Sequence, residues 1–285
     1  MPEETPLVSV LITAYNREEY IAEAINSILA STYTDFELII VDDCSTDATA
    51  VIAKEFEKLD SRVKVYVNEK NLTQFVNRNR AAALARGKYL KYVDSDDSIF
   101  PNGLAYYVTA MEKYPEAGMG TVAYDMATND TVCWSSEKIL REHFLSRQYL
   151  VIGPTGVIIR KDVFEKIGGF DPRFGVAADT HFNLKAAAAA PVVLLPVTVF
   201  FYREHEGQEI KNTFGYLYCN YLFLDDVLMH IDLPLTNKEI KFLSKKNKRR
   251  FVTNIIRHVY LLMKYSNKCI LKAKRSPLNG QPGIL

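Results

Sequence analysis

In the first hundred residues, four short apolar runs, three of which stop on a polar or acidic cluster, alternate with helix-period segments. Val8-Ser-Val-Leu-Ile-Thr13 is almost continuously apolar, as a strand covered on both faces must be. Phe36-Glu-Leu-Ile-Ile-Val41 runs into Asp42-Asp43, Val63 to Val67 forms a third run, and Tyr89-Leu-Lys-Tyr-Val93 ends on Asp94. Between them, Ile21, Ala24/Ile25 and Ile28/Leu29 recur at helical spacing within 18–30. Val51, Ile52, Phe56 and Leu59 do the same behind Thr46 or Asp47, either of which can cap that helix. An Ala-rich segment from Thr73 to Arg86 predicts a third helix, with Gly87 as its stop. The resulting βαβαβαβ order dictates a parallel, right-handed sheet covered by helices, a doubly wound α/β fold.

The rhythm loosens after Pro101. Helices are expected near 101–114, 137–148 and 179–190, with a short one ending at Ile167. Strands are expected near 118–126, 156–160 and 191–200. From Thr213 to about Lys274 the spacing is helical, and residues from Ser276 onward are expected to fray. The domain plan that follows is a catalytic unit over 1–210, divided into 1–100 for the nucleotide and 101–210 for the acceptor. A helical, basic region over 211–285 completes it.

Ligands of open parallel sheets bind outside the carboxyl ends of the strands. Three polar clusters fall there: Thr13-Ala-Tyr15-Asn16, Asp42-Asp43 and Asp94-Ser95-Asp96-Asp97. Three carboxylates within four residues repel one another unless a cation or hydrogen bonds compensate. Hard oxygen ligands of this kind suit Mg²⁺ or Mn²⁺ shared with substrate phosphates. The plainer alternative is a solvated turn ahead of Pro101.

The blocks Val8 to Asn16, Glu37 to Asp47 and Tyr92 to Asp97 together resemble glycosyltransferase family 2, in order, spacing and strand context. The resemblance covers about residues 6–210 and implies a GT-A fold and an inverting, metal-dependent enzyme that uses a nucleotide-sugar donor. It implies that Thr13 and Tyr15 line a base pocket, Tyr15 with its ring face. Asp43 would accept the imide N–H of a uracil-like base while Asp42 shapes the same loop. Arg78 would neutralise the donor diphosphate. Asp94 would face the ribose beside Ser95, and Asp96 or Asp97 would hold Mn²⁺ or Mg²⁺. Asp179 falls where the family carries the second residue of a Glu-Asp pair, and it would act as catalytic base. Ala178 departs from that pair, and a helix cap is the competing role for Asp179. Tyr202-Arg-Glu-His205 resembles the family's Y-R-x-H segment, placing His205 on the metal or the diphosphate.

Two further departures narrow the activity. The Q-x-x-R-W signature of processive synthases is absent, and the longest apolar stretch, Val192 to Tyr202, is broken by Pro196 and too short to span a bilayer. Transfer of a single sugar is favoured, from a UDP-sugar (a dTDP base offers the same imide edge) to a saccharide or lipid-linked acceptor, in cell-envelope polysaccharide or glycolipid synthesis. A nucleotidyltransferase is the alternative enzyme, but Thr13-Ala-Tyr-Asn16 lacks the glycines that cradle a triphosphate.

The net charge of +1 hides an asymmetry: 13 of the 35 bases and one of the 34 acids fall between Thr236 and Arg275. That segment reads as a basic amphipathic helix over 241–275. It suits an anionic membrane surface, packing on the catalytic domain, or a homodimer. A non-catalytic membrane- or nucleic-acid-binding protein led by this tail is the other alternative class. It leaves the three strand-end clusters unexplained, and no nucleic-acid partner is expected. Four cysteines without a CxxC pair, and an acidic Met1-Pro-Glu-Glu4 start, point to the cytoplasm, extending to the inner face of the membrane.

Overall fold

The computed structural model describes residues 5–124, 126, 128–205 and 213–274, apart from the side chains of 213, 214, 216 and 261–274. The alternation read from the sequence is present: β1 (Val8–Ala14), α1 (Ile21–Leu29), β2 (Phe36–Asp42), α2 (Thr49–Leu59), β3 (Val63–Val67), α3 (Gln74–Leu84) and β4 (Tyr89–Tyr92). There follow β5 (Ser98–Ile99), α4 (Gly103–Lys113), β6 (Met119–Val122), β7 (Val132–Trp134) and α5 (Ser136–Leu145). Next come β8 (Val157–Arg160), α6 (Lys161–Lys166), α7 (Ala178–Ala189), β9 (Val192–Leu195), β10 (Phe200–Phe201), α8 (Thr213–His230) and α9 (Asn237–Lys274). Fraying expected from Ser276 onward lies outside the described residues.

Eight strands form one sheet in the order β3-β2-β1-β4-β8-β6-β9-β7. The β3-β2-β1-β4 half is parallel throughout, with Val8 opposite both Phe36 and Tyr89. All seven residues of β2 are buried, as both-face coverage requires. Beyond β4 the sheet becomes mixed, because β8 runs antiparallel to both β4 and β6. In the core, Val10, Ile12, Ile25, Leu38 and Ile40 are sealed from water, each worth about 1.5–3 kcal/mol of burial.

Gly87 acts differently from its expected role as helix stop. α3 ends at Leu84, and Ala85 already turns extended at φ −71°, ψ 141°. A Cβ on Gly87 would lie 2.6 Å from the Ser9 amide nitrogen, so the close approach of this loop to β1 is what requires glycine. Beside it Glu37 is buried, accepting from Ser9 Oγ at 2.6 Å and from the Arg86 amide at 2.7 Å.

Neither β5 nor β10 stands out in the sequence, yet they pair antiparallel, Phe200 with Ile99 and Phe201 with Ser98. This ribbon lays residues 202–205 alongside 94–97. The single strand expected over 191–200 is split into β9 and β10 around Pro196.

The chain divides into two compact units, 1–236 and 237–285, so the first extends beyond the boundary expected at 210. The reason is α8, which packs on α7 and on the 3-10 turn Pro172–Ala177, with Asp226 Oδ2 3.1 Å from His181 Nε2. The second unit contains α9. Among the described residues no helix is long and apolar enough to cross a membrane.

Candidate active site

An open cleft of about 830 Å³ lies at the carboxyl ends of the parallel strands. Thr13, Tyr15, Asp43, Arg78, Asp94, Ser95, Asp96 and Asp179 all line it, although they come from loops up to 166 positions apart in sequence. Strand register explains the convergence. Ala14 pairs with Asp42 and Leu11 with Tyr92, so the residues following β1, β2 and β4 leave the sheet at one edge.

The backbone there is unusual. Asn16, Cys44 and Thr73 take left-handed φ values of 52°, 64° and 74°. Such a value is uncommon for any non-glycine residue and costly for a β-branched threonine. Side chains lock these loops together: Asn16 Oδ1 accepts from the Thr46 amide at 2.9 Å, and the Asn16 amide donates to Ser45 Oγ at 2.9 Å.

The two adjacent aspartates at the end of β2 part company. Asp43 lines the cleft, and its Oδ1 accepts from Asn68 Nδ2 at 2.6 Å and the Leu72 amide at 2.8 Å. Asn68 also donates to Asn77 Oδ1 at 2.9 Å, and Asn77 in turn donates to the Val41 carbonyl, which fixes the carboxylate's orientation. Asp42 is fully buried; its Oδ2 accepts from the Ser45 amide at 2.9 Å, and its Oδ1 has no partner among the described residues. Asp42 therefore shapes the loop, as a buried acceptor of its backbone.

The acidic cluster after β4 separates in the same way. Asp96 Oδ2 lies 2.9 Å from His205 Nε2 and 3.3 Å from Arg17 Nε, with His205 stacked on Tyr20 at 4.8 Å. Asp97, expected as a metal ligand, is turned away instead. It is 2 % exposed, accepting from Thr155 Oγ1 at 2.8 Å and the Arg203 amide at 3.2 Å. Burial first, and the Asp94 charge second, push its carboxyl up to about 7. Thr155 ties this floor together: its hydroxyl also accepts from the Asp94 amide at 3.1 Å, and its carbonyl accepts from buried Lys91 Nζ at 2.5 Å. Burial draws the Lys91 ammonium down to about 7, against the pull of Asp94 and Asp97.

Arg78, expected to face a donor diphosphate, is occupied otherwise. Only 2 % of its side chain is exposed; Nη2 donates to Asp94 Oδ1 and Nη1 to Asp179 Oδ1, each at 2.7 Å. Phe75 and Phe170 flank the guanidinium at 5.1 and 5.8 Å. Arg78 thus joins a carboxylate that follows β4 to one in the first turn of α7. Asp179 stands in the first turn of α7. Burial raises its carboxyl to about 6; Arg78 opposes the rise and Asp94 adds to it. Ala178, where the family places glutamate, is fully buried and packs the helix start.

Sequence reasoning did not single out Arg17, Thr155, Lys91 or Asn68. Arg17 follows immediately on a cluster that was read, whereas the others carry no motif, and only tertiary contacts give them a place.

The chain matches glycosyl transferase family 2 over residues 9–168, more than half its length, and belongs to that family. Its fold is the GT-A type, a mixed α/β sheet flanked by helices. It is 45 % identical over 92 residues to the putative teichuronic acid biosynthesis glycosyltransferase TuaG of Bacillus subtilis, covering 32 % of this chain and 36 % of that one. It is 28 % identical over 228 residues to glycosyltransferase GlyG of Streptococcus pneumoniae, covering 73 % and 74 %. The chain spans about a third of the length of the first curated relatives it matches, 36 % and 34 %. Among solved structures, S. aureus TarS 1–349 in complex with UDP-GlcNAc superposes with a TM-score of 0.67 at 23 % identity, over 86 % of this chain and 72 % of that one. A Pyrobaculum calidifontis mannosyltransferase in complex with GDP-Man and Mn²⁺ gives 0.66 at 15 %, over 96 % and 84 %.

Proposed function

We propose that this glycosyltransferase moves a single sugar from a nucleoside-diphosphate donor, a UDP-sugar by preference, to a hydroxyl of a saccharide or lipid-linked acceptor, with inversion at the anomeric carbon. The observation that carries this reading is Arg78, which holds Asp94 and Asp179 on one guanidinium within one cleft. That arrangement sets a donor-side and an acceptor-side carboxylate at a fixed separation. The UDP-GlcNAc complex of TarS and the teichuronic-acid name of TuaG support the donor and a role in cell-envelope polysaccharide synthesis. The catalytic unit in this reading is 1–236, with its setting in the cytoplasm at the inner face of the membrane.

In this reading Thr13 and Tyr15 frame the nucleobase. Asp43 reads the imide N–H through Oδ2, since Oδ1 is already taken by Asn68 and Leu72. Asp94 and Ser95 face the ribose and diphosphate. The acceptor oxygen attacks the anomeric carbon while its proton passes to Asp179, and the carbon–oxygen bond to the diphosphate breaks with its electron pair leaving on the diphosphate. Attack opposite the leaving group inverts the centre. Asp179 must be ionised to take the proton, and a carboxyl held at about 6 is a far stronger base than an ordinary aspartate while still ionised at neutral pH.

Mn²⁺ or Mg²⁺ fits the side chains at Asp96. Among the described residues no group of three or more His, Cys, Asp or Glu side chains forms a closed metal cage. One carboxylate with one imidazole 2.9 Å away is the partial set that such an ion completes with diphosphate oxygens and water. Asp96 and His205 would hold the ion, which would neutralise charge developing on the leaving diphosphate. Asp97 belongs to the support beneath them.

The test is product formation by the purified protein with Mn²⁺ and a panel of UDP-, dTDP- and GDP-sugars, followed by the anomeric configuration of the product. Release of UDP with an inverted product is expected. Retention would remove the base role of Asp179, and failure of any nucleotide sugar to bind or react would overturn the reading as a whole.

A further inference from the structure

Within α9, Val252, Ile255, Ile256 and Val259 follow i, i+3, i+4, i+7 spacing and so share one face of the helix. They are 54, 39, 64 and 49 % exposed. Four branched aliphatic side chains in one exposed stripe call for an apolar partner. Bases surround the stripe: Lys245, Lys246, Lys248, Arg249 and Arg250 precede it and Arg257 lies within its span, all exposed. Glu239 is the sole acid from 237 to 274, against twelve Lys and Arg.

We propose that α9 is a membrane-surface helix. Its Val252–Val259 stripe enters the boundary between headgroups and acyl chains of an anionic leaflet, and its bases gather on the headgroups. Charge decides among the possible occupants. Pairing the stripe with that of a second copy would bring together two segments of about +11 each, with one acid apiece to offset them. A nucleic acid would satisfy the bases but leave Ile255 and Ile256 in water. An anionic bilayer satisfies both. This deepens the reading of where sugar transfer takes place, yet it rests on α9 alone and does not depend on the donor.

Flotation of the full chain with vesicles tests it. The protein should rise with equimolar phosphatidylcholine and phosphatidylglycerol, stay behind with phosphatidylcholine alone, and detach as NaCl is raised. Ile255→Glu with Ile256→Glu should weaken binding to the anionic vesicles at least about tenfold, because two charges would enter the apolar boundary. Lys248→Glu with Arg249→Glu should weaken it as well, while both variants keep the wild-type thermal shift with UDP and Mn²⁺. Flotation unchanged by the isoleucine substitutions overturns the proposal. So does a wild-type dimer in light scattering that the isoleucine variant converts to monomer, or RNA binding that only the charge reversal removes. Absence of the UDP shift alongside intact flotation would count against the glycosyltransferase reading alone.

Discussion

The two walls of the cleft are built on different physical terms. On the wall that the proposed mechanism assigns to the nucleotide, parallel strands end together and the lining is polar: Asp43, Asp94, Asp96, Asn77 and Arg17, held by hydrogen bonds to neighbouring side chains and backbone amides. On the wall that it assigns to the acceptor the sheet is mixed, and the lining from 151 to 154 and at 176 is Val151, Ile152, Gly153, Pro154 and Val176. Asp179 and Thr180 are the polar side chains there, with Tyr202 close by in the lining. A charged leaving group needs fixed counter-dipoles that do not reorganise when charge develops. An acceptor needs only to be placed, which shape and apolar contact can do. The two walls should therefore respond to substitution through different quantities.

Asp179→Asn breaks that contrast most severely. In the proposed mechanism a proton acceptor is lost, so turnover should fall about 10²–10⁴-fold. The UDP-induced thermal shift should persist, since the change lies on the acceptor wall. The same carboxyl sets a pH profile. Its pKa in the folded protein is raised to about 6, so it is protonated and idle below that value; kcat/KM should climb with pH through about 6 and level off above.

Asp43→Ala should act through binding. Losing the buried, oriented acceptor should weaken UDP by about 1–3 kcal/mol, roughly five- to 150-fold, read by calorimetry with the acceptor KM unchanged. Equal losses of turnover at Asp43 and Asp179 would erase the distinction between the walls.

Arg17→Gln sharpens the nucleotide side. Arg17 Nε sits 3.3 Å from Asp96 Oδ2, so its charge competes with any cation placed there. Removing that charge should tighten Mn²⁺ a few-fold in the absence of nucleotide, by roughly 1 kcal/mol for a partly exposed pair. Electron paramagnetic resonance titration of free Mn²⁺ reads this directly.

Asp97→Asn should have the smallest effect on binding and act on stability instead. The folded carboxyl titrates near 7 and the unfolded one near its ordinary value of 3.8, so between these the native state binds the extra proton and stability falls as pH rises. The substitution should flatten that slope in urea unfolding, with little change in UDP affinity.

Much of this architecture was legible in residues 8–97. Short continuous apolar runs and period-3.6 patterns are local, so β1 to β4 and their helices could be read within a few positions of where they stand. The strand-end clusters led to Thr13, Tyr15, Asp43, Asp94, Ser95 and Asp96, all of which line the cleft. Legibility fell where a role depends on direction rather than identity. Asp42 and Asp43 read alike, as do Asp96 and Asp97, yet a one-residue difference in position at the strand end turns one of each pair into the cleft and the other away from it. Arg78 read as a cation for phosphate; Asp94 and Asp179, 16 and 101 positions away, have claimed it.

Apolar periodicity and strand length are properties of short segments, so the parallel half-sheet and the set of polar side chains released at its edge follow from local sequence. Only the tertiary structure decided which of those side chains meet. The β5–β10 ribbon brings His205 to Asp96 across 109 positions, and α7 brings Asp179 to Arg78. Such contacts depend on long-range pairing and packing, and no local pattern encodes them.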